Sequence, residues 1–92
     1  MQIKILKSAE QDISSSAIFY DKQLSGLGSY FLKTVIADID KLSETAGIHP
    51  KFNGFHRLLT RKFPYAVYYK IFDKCACIYA VLDCRSDPAK RP

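Results

Sequence analysis

The chain has 92 residues, of which 48% are hydrophobic and 25% charged, with a formal net charge of +5. That length supports one core and excludes two, and the apolar share excludes a disordered chain. Apolar runs span only a few residues, well short of the roughly 20 that cross a bilayer, so a soluble cytoplasmic protein is expected, with no membrane partner.

In chain order, Ile3 and Ile5 alternate with Lys4 as a short strand does. Ser8-Ala9-Glu10-Gln11 then reads as a capping box in which Ser8 caps a helix and Gln11 reaches back. Ile13, Ala17, Tyr20 and Leu24 recur at helical spacing, and Gly26 and Gly28 interrupt the pattern. A second amphipathic helix begins near Leu27, with Phe31, Leu32, Val35, Ile36, Ile39 and Leu42 on one face, and ends at Gly47, ahead of Pro50. Two such helices joined by a short glycine-containing turn make an antiparallel hairpin.

After Asn53-Gly54 the composition turns β-branched and aromatic, and three strands are predicted over 55–62, 65–72 and 75–83. Asp73-Lys74 is short enough for a tight hairpin. In the last segment both alternating sets, Ile78/Ala80/Leu82 and Cys77/Tyr79/Val81, are apolar, which predicts a central strand covered on both faces. The resulting expectation is a single α+β domain over residues 1–92 in the order βααβββ. Its helical hairpin packs on one face of an antiparallel sheet of about four strands.

Charge is unevenly placed. Residues 1–46 hold five lysines and six acidic residues, whereas residues 47–92 hold nine basic residues and three aspartates. A basic half points to an acidic partner, either nucleic acid or an acidic protein segment. Arg57, Arg61 and Lys62 on the first meander strand, with Arg85, Lys90 and Arg91 at the end of the chain, are the candidate contacts, for phosphates or for an acidic protein surface. Tyr65, Tyr68, Tyr69 and Tyr79 suit base stacking, although aromatic residues in strands more often pack the core. The stretch FPYAVYYK (63–70) accordingly reads as a strand start with aromatic packing.

Cys75, Cys77 and Cys84 are odd in number and close together, as reduced thiols rather than a disulfide framework. His49 and His56 stand at no metal-ligand spacing, and no phosphate-binding glycine loop or nucleophile motif occurs, so neither a metal nor a cofactor is expected. A metal-free ribonuclease needs a base, an acid and cations at the phosphate. The cations are plentiful, but beside them stand only Asp83, ordinarily ionised near pH 4, and Cys84.

Four segments, AEQDISSSAIFYDKQLSGLG, FLKTVIADIDKL followed by HP, FPYAVYYKIF and IYAVLDCRSDP, together resemble the ParE/RelE superfamily of bacterial type II toxins across nearly the whole chain. The resemblance implies a small toxin neutralised by a cognate antitoxin that covers hydrophobic and basic surface. It also implies growth arrest through DNA gyrase in the ParE-like branch, or through cleavage of mRNA on the ribosome in the RelE-type branch. RelE-type members place a catalytic His or Tyr near the chain end, where this chain has Arg85, Ser86 and Asp87. Its AVLDCRSDP ending resembles ParE-like members, in which a His often stands at the position of Asp83. Arg57 and Arg85 match arginines that recur in the family pattern, with pairing to Asp83 or Asp87 as their structural alternative. The expectation is therefore a ParE-like toxin of a plasmid-stabilisation type that binds gyrase and is not an enzyme, with direct DNA contact left to the antitoxin. The alternatives are a ribosome-dependent mRNA endonuclease and an inactive member of the superfamily.

Overall fold

The computed structural model describes residues 1–85. Strand β1 (Gln2–Ile5) leads into helix α1 (Lys7–Gln23), followed by α2 (Leu27–Asp40) and a single helical turn, α3 (Leu42–Thr45). Four strands complete the order: β2 (Lys51–Phe52), β3 (Phe55–Leu59), β4 (Tyr65–Phe72) and β5 (Cys75–Asp83). The sheet has five strands in the order β1-β5-β4-β3-β2.

The sheet is mixed, which corrects the antiparallel expectation: β1 pairs parallel with β5, while the other neighbours are antiparallel. The reason is β2, a two-residue strand that shows no alternation in sequence. Asn53 (φ 52°) and Gly54 (φ 83°) make a tight turn between β2 and β3, adding one chain reversal to the meander. With that extra reversal, β5 runs in the direction of β1. The β4–β5 hairpin closes as predicted through Asp73 and Lys74, both at positive φ.

The helix boundaries follow from local chemistry that sequence only half reveals. Ser8 does not cap α1, whose N-cap is Leu6 with no side-chain cap bond. Instead the Ser8 hydroxyl donates to the Tyr79 carbonyl at 2.7 Å. Between the helices, the Asp21 carboxylate accepts from the backbone N–H groups of Gly26 (3.0 Å) and Gly28 (3.1 Å), satisfying donors that the start of α2 leaves without helical partners. Gly28 sits where the helices touch: a Cβ there would stand 2.3 Å from the Ala17 carbonyl oxygen. The second helix does not run unbroken to Gly47, since α2 ends at Asp40 and α3 resumes at Leu42. Gly47 then takes the left-handed conformation expected of it, at φ 100°.

Ala9, Ile13, Ala17 and Tyr20 of α1, with Phe31, Val35 and Ile39 of α2, pack on Tyr65, Val67, Tyr69, Ala76, Ile78 and Val81 of the sheet. A bulge decides which β5 residues join them. Tyr68 pairs with Ala80 and Tyr69 with Ile78, so Tyr79 is the extra residue, and the core-facing set steps from Ile78 to Val81. This step accounts for two apolar alternating sets in one strand. The strand is interior to the sheet as predicted, but among the described residues no helix covers its second face. Side chains of that face pack on one another, notably Phe55 against Tyr79 at 5.3 Å and Lys70 over the Phe55 ring at 4.5 Å.

Two side chains of α1 serve the bulge. Asp12 lies one helical turn beyond Ser8, and its Oδ2 accepts from the Val81 N–H at 3.0 Å. The pair thus satisfies one carbonyl and one amide that the interrupted ladder leaves open. They also set the register of α1 on the sheet.

Candidate functional site

The predicted basic residues fall into three separate settings. Arg57 projects from β3 on the sheet face away from the helices, opposite Tyr68 in register. Its Nε donates to the Tyr68 hydroxyl at 3.3 Å, its Nη2 lies 3.7 Å from Cys84 Sγ, and its guanidinium stands 5.7 Å from the centre of the Phe52 ring. An aromatic floor of this kind orients a guanidinium while leaving donors for an outside acceptor. A cavity of about 360 Å³ opens beside it, lined by His49, Pro50, Phe52, Arg57, Leu58 and Leu59.

Arg85, just past β5, is held differently. Its Nη2 and Nε donate to the two Asp83 carboxylate oxygens at 2.8 and 3.0 Å, and its own backbone N–H donates to Asp83 Oδ1 at 2.8 Å. The same Nη2 reaches the Tyr20 hydroxyl of α1 at 3.3 Å. Hydrogen bonding to Arg85 holds the Asp83 carboxyl below its usual range, against an opposing contribution from burial. Asp83 therefore stays ionised and fixes Arg85. The arginine itself remains exposed, so the bidentate pair orients a cation at the surface without removing it from solvent.

Arg61 and Lys62 were expected on a strand, but β3 stops at Leu59 and both lie in the turn before β4. Thr60 ends the strand by closing that turn on itself, its Oγ1 donating to the Phe63 carbonyl at 2.6 Å. The buried Asp38 carboxylate of α2 accepts from the Arg61 backbone N–H at 3.0 Å. Arg61, Lys62 and Lys41 consequently gather around a hollow of about 200 Å³ against α2. The structure does not join this group to Arg57 or Arg85 by any described contact. Lys90 and Arg91, together with Asp87, lie outside the described residues.

Tyr65 is a core residue rather than a stacking platform. It is 5% exposed, with its ring 4.9 Å from Phe31 and 6.2 Å from Tyr20. Burial pushes its hydroxyl pKa up to about 12, opposed by the hydrogen bond with Ser16 and aided by that with Tyr20. Tyr68 and Tyr69 are buried as well. Phe63 joins Tyr20, Phe31 and Tyr65 in one aromatic cluster, which explains the aromatic density of the 63–70 stretch.

The histidines close a loop. His49 Nδ1 and the Tyr69 hydroxyl are 2.6 Å apart, Gly47 N–H donates to the same hydroxyl at 3.0 Å, and His56 stacks on the Tyr69 ring at 5.0 Å. Burial and then the neighbouring His56 lower the pKa of His49. Sequence reasoning missed Tyr20 and Tyr68 as the groups that orient Arg85 and Arg57. Each is apolar in pattern, and only the fold brings its hydroxyl to a cation.

The outer side of the hairpin carries a different surface. Ile18, Phe19, Leu24, Tyr30 and Leu32 are exposed. Along α2 a hollow of about 550 Å³ is lined by Leu32, Ile36 and Ala37 with Ser29, Lys33 and Asp40. The apolar stripe predicted on α2 is thus wider than the core uses, and its excess, Leu32 above all, faces outward.

A helical hairpin on one face of a mixed five-stranded sheet, with one arginine oriented on the open sheet face and another just past β5, defines an α+β protein with positioned cations. No protein-family model matches the chain, and no curated protein matches it by sequence. Among solved structures, a chain of the chromosomal ParDE TA system from P. aeruginosa is similar at a TM-score of 0.80 and 15% identity, over 88% of this chain and 92% of that one. At that identity the likeness is one of fold, and the fold is ParE-like. No helix among the described residues is long and apolar enough to cross a membrane.

Proposed function

We propose that this chain is the toxin of a type II toxin-antitoxin pair, acting in the cytoplasm by binding DNA gyrase rather than by cutting RNA. The observation that carries the reading is the fold it shares with a ParDE chain over 88% of its length. Two features of the site support binding over catalysis. Asp83 is locked by Arg85 and held ionised, so it is a poor proton donor at neutral pH, and the Tyr65 hydroxyl is buried with its pKa pushed up to about 12. Arg57 and Arg85 are the target contacts, Tyr68 and Asp83 orient them, and Arg61 and Lys62 add positive field beside α2. The exposed apolar side of the hairpin and the basic surface give a cognate antitoxin its docking area, and DNA contact belongs to that antitoxin.

The test is induction of the chain in bacteria without an antitoxin, following labelled thymidine and labelled methionine incorporation from the moment of induction. Early loss of thymidine incorporation with continuing protein synthesis is the expected result. Early loss of methionine incorporation overturns it in favour of a ribosome-dependent mRNA endonuclease. Unimpaired growth with folded protein present identifies an inactive member of the superfamily.

A further inference from the structure

Cys75 and Cys77 are used by nothing described so far. They alternate with the core residues Ala76 and Ile78 on β5 and so share the sheet face away from the helices. Both are half-buried, and their sulfurs lie 3.9 Å apart. Cys77 stands in register between Lys4 of β1 and Lys70 of β4. Side chains directly opposite one another on neighbouring strands are close, but burial and the adjacent Cys75 push the Cys77 thiol up and outweigh Lys4, which favours the thiolate; the pair stays as thiols until a ligand displaces their protons.

We propose that Cys75 and Cys77 form a two-sulfur binding site for a soft, thiophilic ion, one that needs only two sulfur ligands from the protein. At bond lengths of about 2.3 Å, as zinc makes to thiolate, sulfurs separated by 3.9 Å subtend roughly 115° at a shared ion; a pyramidal trivalent centre takes a narrower angle, which a small χ1 rotation of either cysteine supplies. A disulfide fits less well: residues two apart on a strand have Cα atoms roughly 6.6 to 6.8 Å apart, at the upper limit of disulfide geometry, and the sulfurs would have to close to about 2.0 Å. Extended backbone therefore keeps the thiols apart enough to stay reduced and near enough to be bridged. Among the described residues no group of three or more His, Cys, Asp or Glu side chains is placed to hold a metal. The fitting ligand is therefore one whose remaining valences are filled from elsewhere, as in an aryl-substituted trivalent arsenical or a monovalent soft metal ion. Cys84, engaged with Arg57 across the sheet, serves as an internal comparison.

Phenylarsine oxide is the probe. Two S–As bonds form, the As=O bond is broken, and both thiol protons leave with the oxygen as one water; no electron is transferred. The native chain is expected to take up one arsenical by intact mass, while its thiols reactive to a chromogenic disulfide fall from three to one. The adduct is expected to resist excess monothiol and to yield to a dithiol. Cys75→Ser and Cys77→Ser should each lower that resistance at least tenfold, and Cys84→Ser should leave it unchanged. Native fit is read separately: the reagent should raise the melting temperature of the wild-type chain by several degrees, because a ligand that favours the folded state stabilises it. Persistence of three reactive thiols, an adduct that depends on Cys84, or a lowered melting temperature overturns the proposal. The wild-type thiol count and melting shift decide it even if a serine variant fails to fold.

Discussion

Replacing Asp12 tests how the helix is pinned to the bulge. Its Oδ2 accepts the Val81 N–H at 3.0 Å, and Val81 is 1% exposed, so the amide has no route to water once the acceptor is gone. An orphaned buried donor costs about 1–3 kcal/mol, while Asp12→Ala regains up to about 0.7 kcal/mol of helix propensity. The net expectation for Asp12→Ala is a loss of about 1–2 kcal/mol, or very roughly 4–15 °C in melting temperature for a domain this size. Asp12→Asn keeps an acceptor and removes the charge. Burial raises the Asp12 pKa, against the opposing effect of the Val81 bond, so the ionised carboxylate is less welcome in the fold than in the unfolded chain. For an acid with a raised folded pKa, the favourable contribution is full below the unfolded value of 3.8 and fades as pH rises through the folded pKa. Asp12→Asn should therefore match or exceed wild-type stability at pH 7. Urea unfolding of wild type and both variants at pH 7 and pH 4 checks this. If asparagine is as damaging as alanine, or alanine costs nothing, the amide-acceptor account is wrong.

Other perturbations probe separate parts of the structure. Gly28→Ala places a Cβ 2.3 Å from the Ala17 carbonyl oxygen, which is backbone and cannot rotate away, so separation of α1 and α2 and a loss of about 1–3 kcal/mol or more should appear in thermal unfolding. His49 should titrate below 6.5 by NMR, its neutral ring being favoured by burial; its stabilising contribution is full above pH 6.5 and is lost as pH falls through the folded pKa, and a titration above 6.5 refutes that cause. Arg57→Ala should relieve growth arrest on induction while leaving the melting temperature within a few degrees of wild type, whereas undiminished arrest removes Arg57 from the target contact. Tyr65→Phe should keep growth arrest, since its buried hydroxyl faces Ser16 and Tyr20, and loss of arrest in a folded Tyr65→Phe chain would give that hydroxyl a functional role.

Local pattern determined a great deal about this protein. Helical spacing placed Ile13, Ala17, Phe31, Val35 and Ile39 on the buried faces, and period-two alternation located β4 and β5 with their bounds. These features are legible because each depends on residues a few positions apart. The candidate cations Arg57 and Arg85 were legible as charged residues, but their settings were not. Tertiary structure alone decided that Tyr20 joins Asp83 in orienting one and that Tyr68, Phe52 and Cys84 hold the other, since Tyr20 lies 65 positions from its arginine and Cys84 lies 27 from its own. It also decided that Ser8 serves a carbonyl 71 residues away instead of capping its own helix, a competition in which a carbonyl at the bulge outweighs the local cap. The direction of β1 against β5 turned on β2, whose two residues are too few for any periodicity and exist as a strand only because β3 lies beside them. Spacing along the chain can encode which face a residue takes; which distant group meets it there is settled only when the helices close on the sheet.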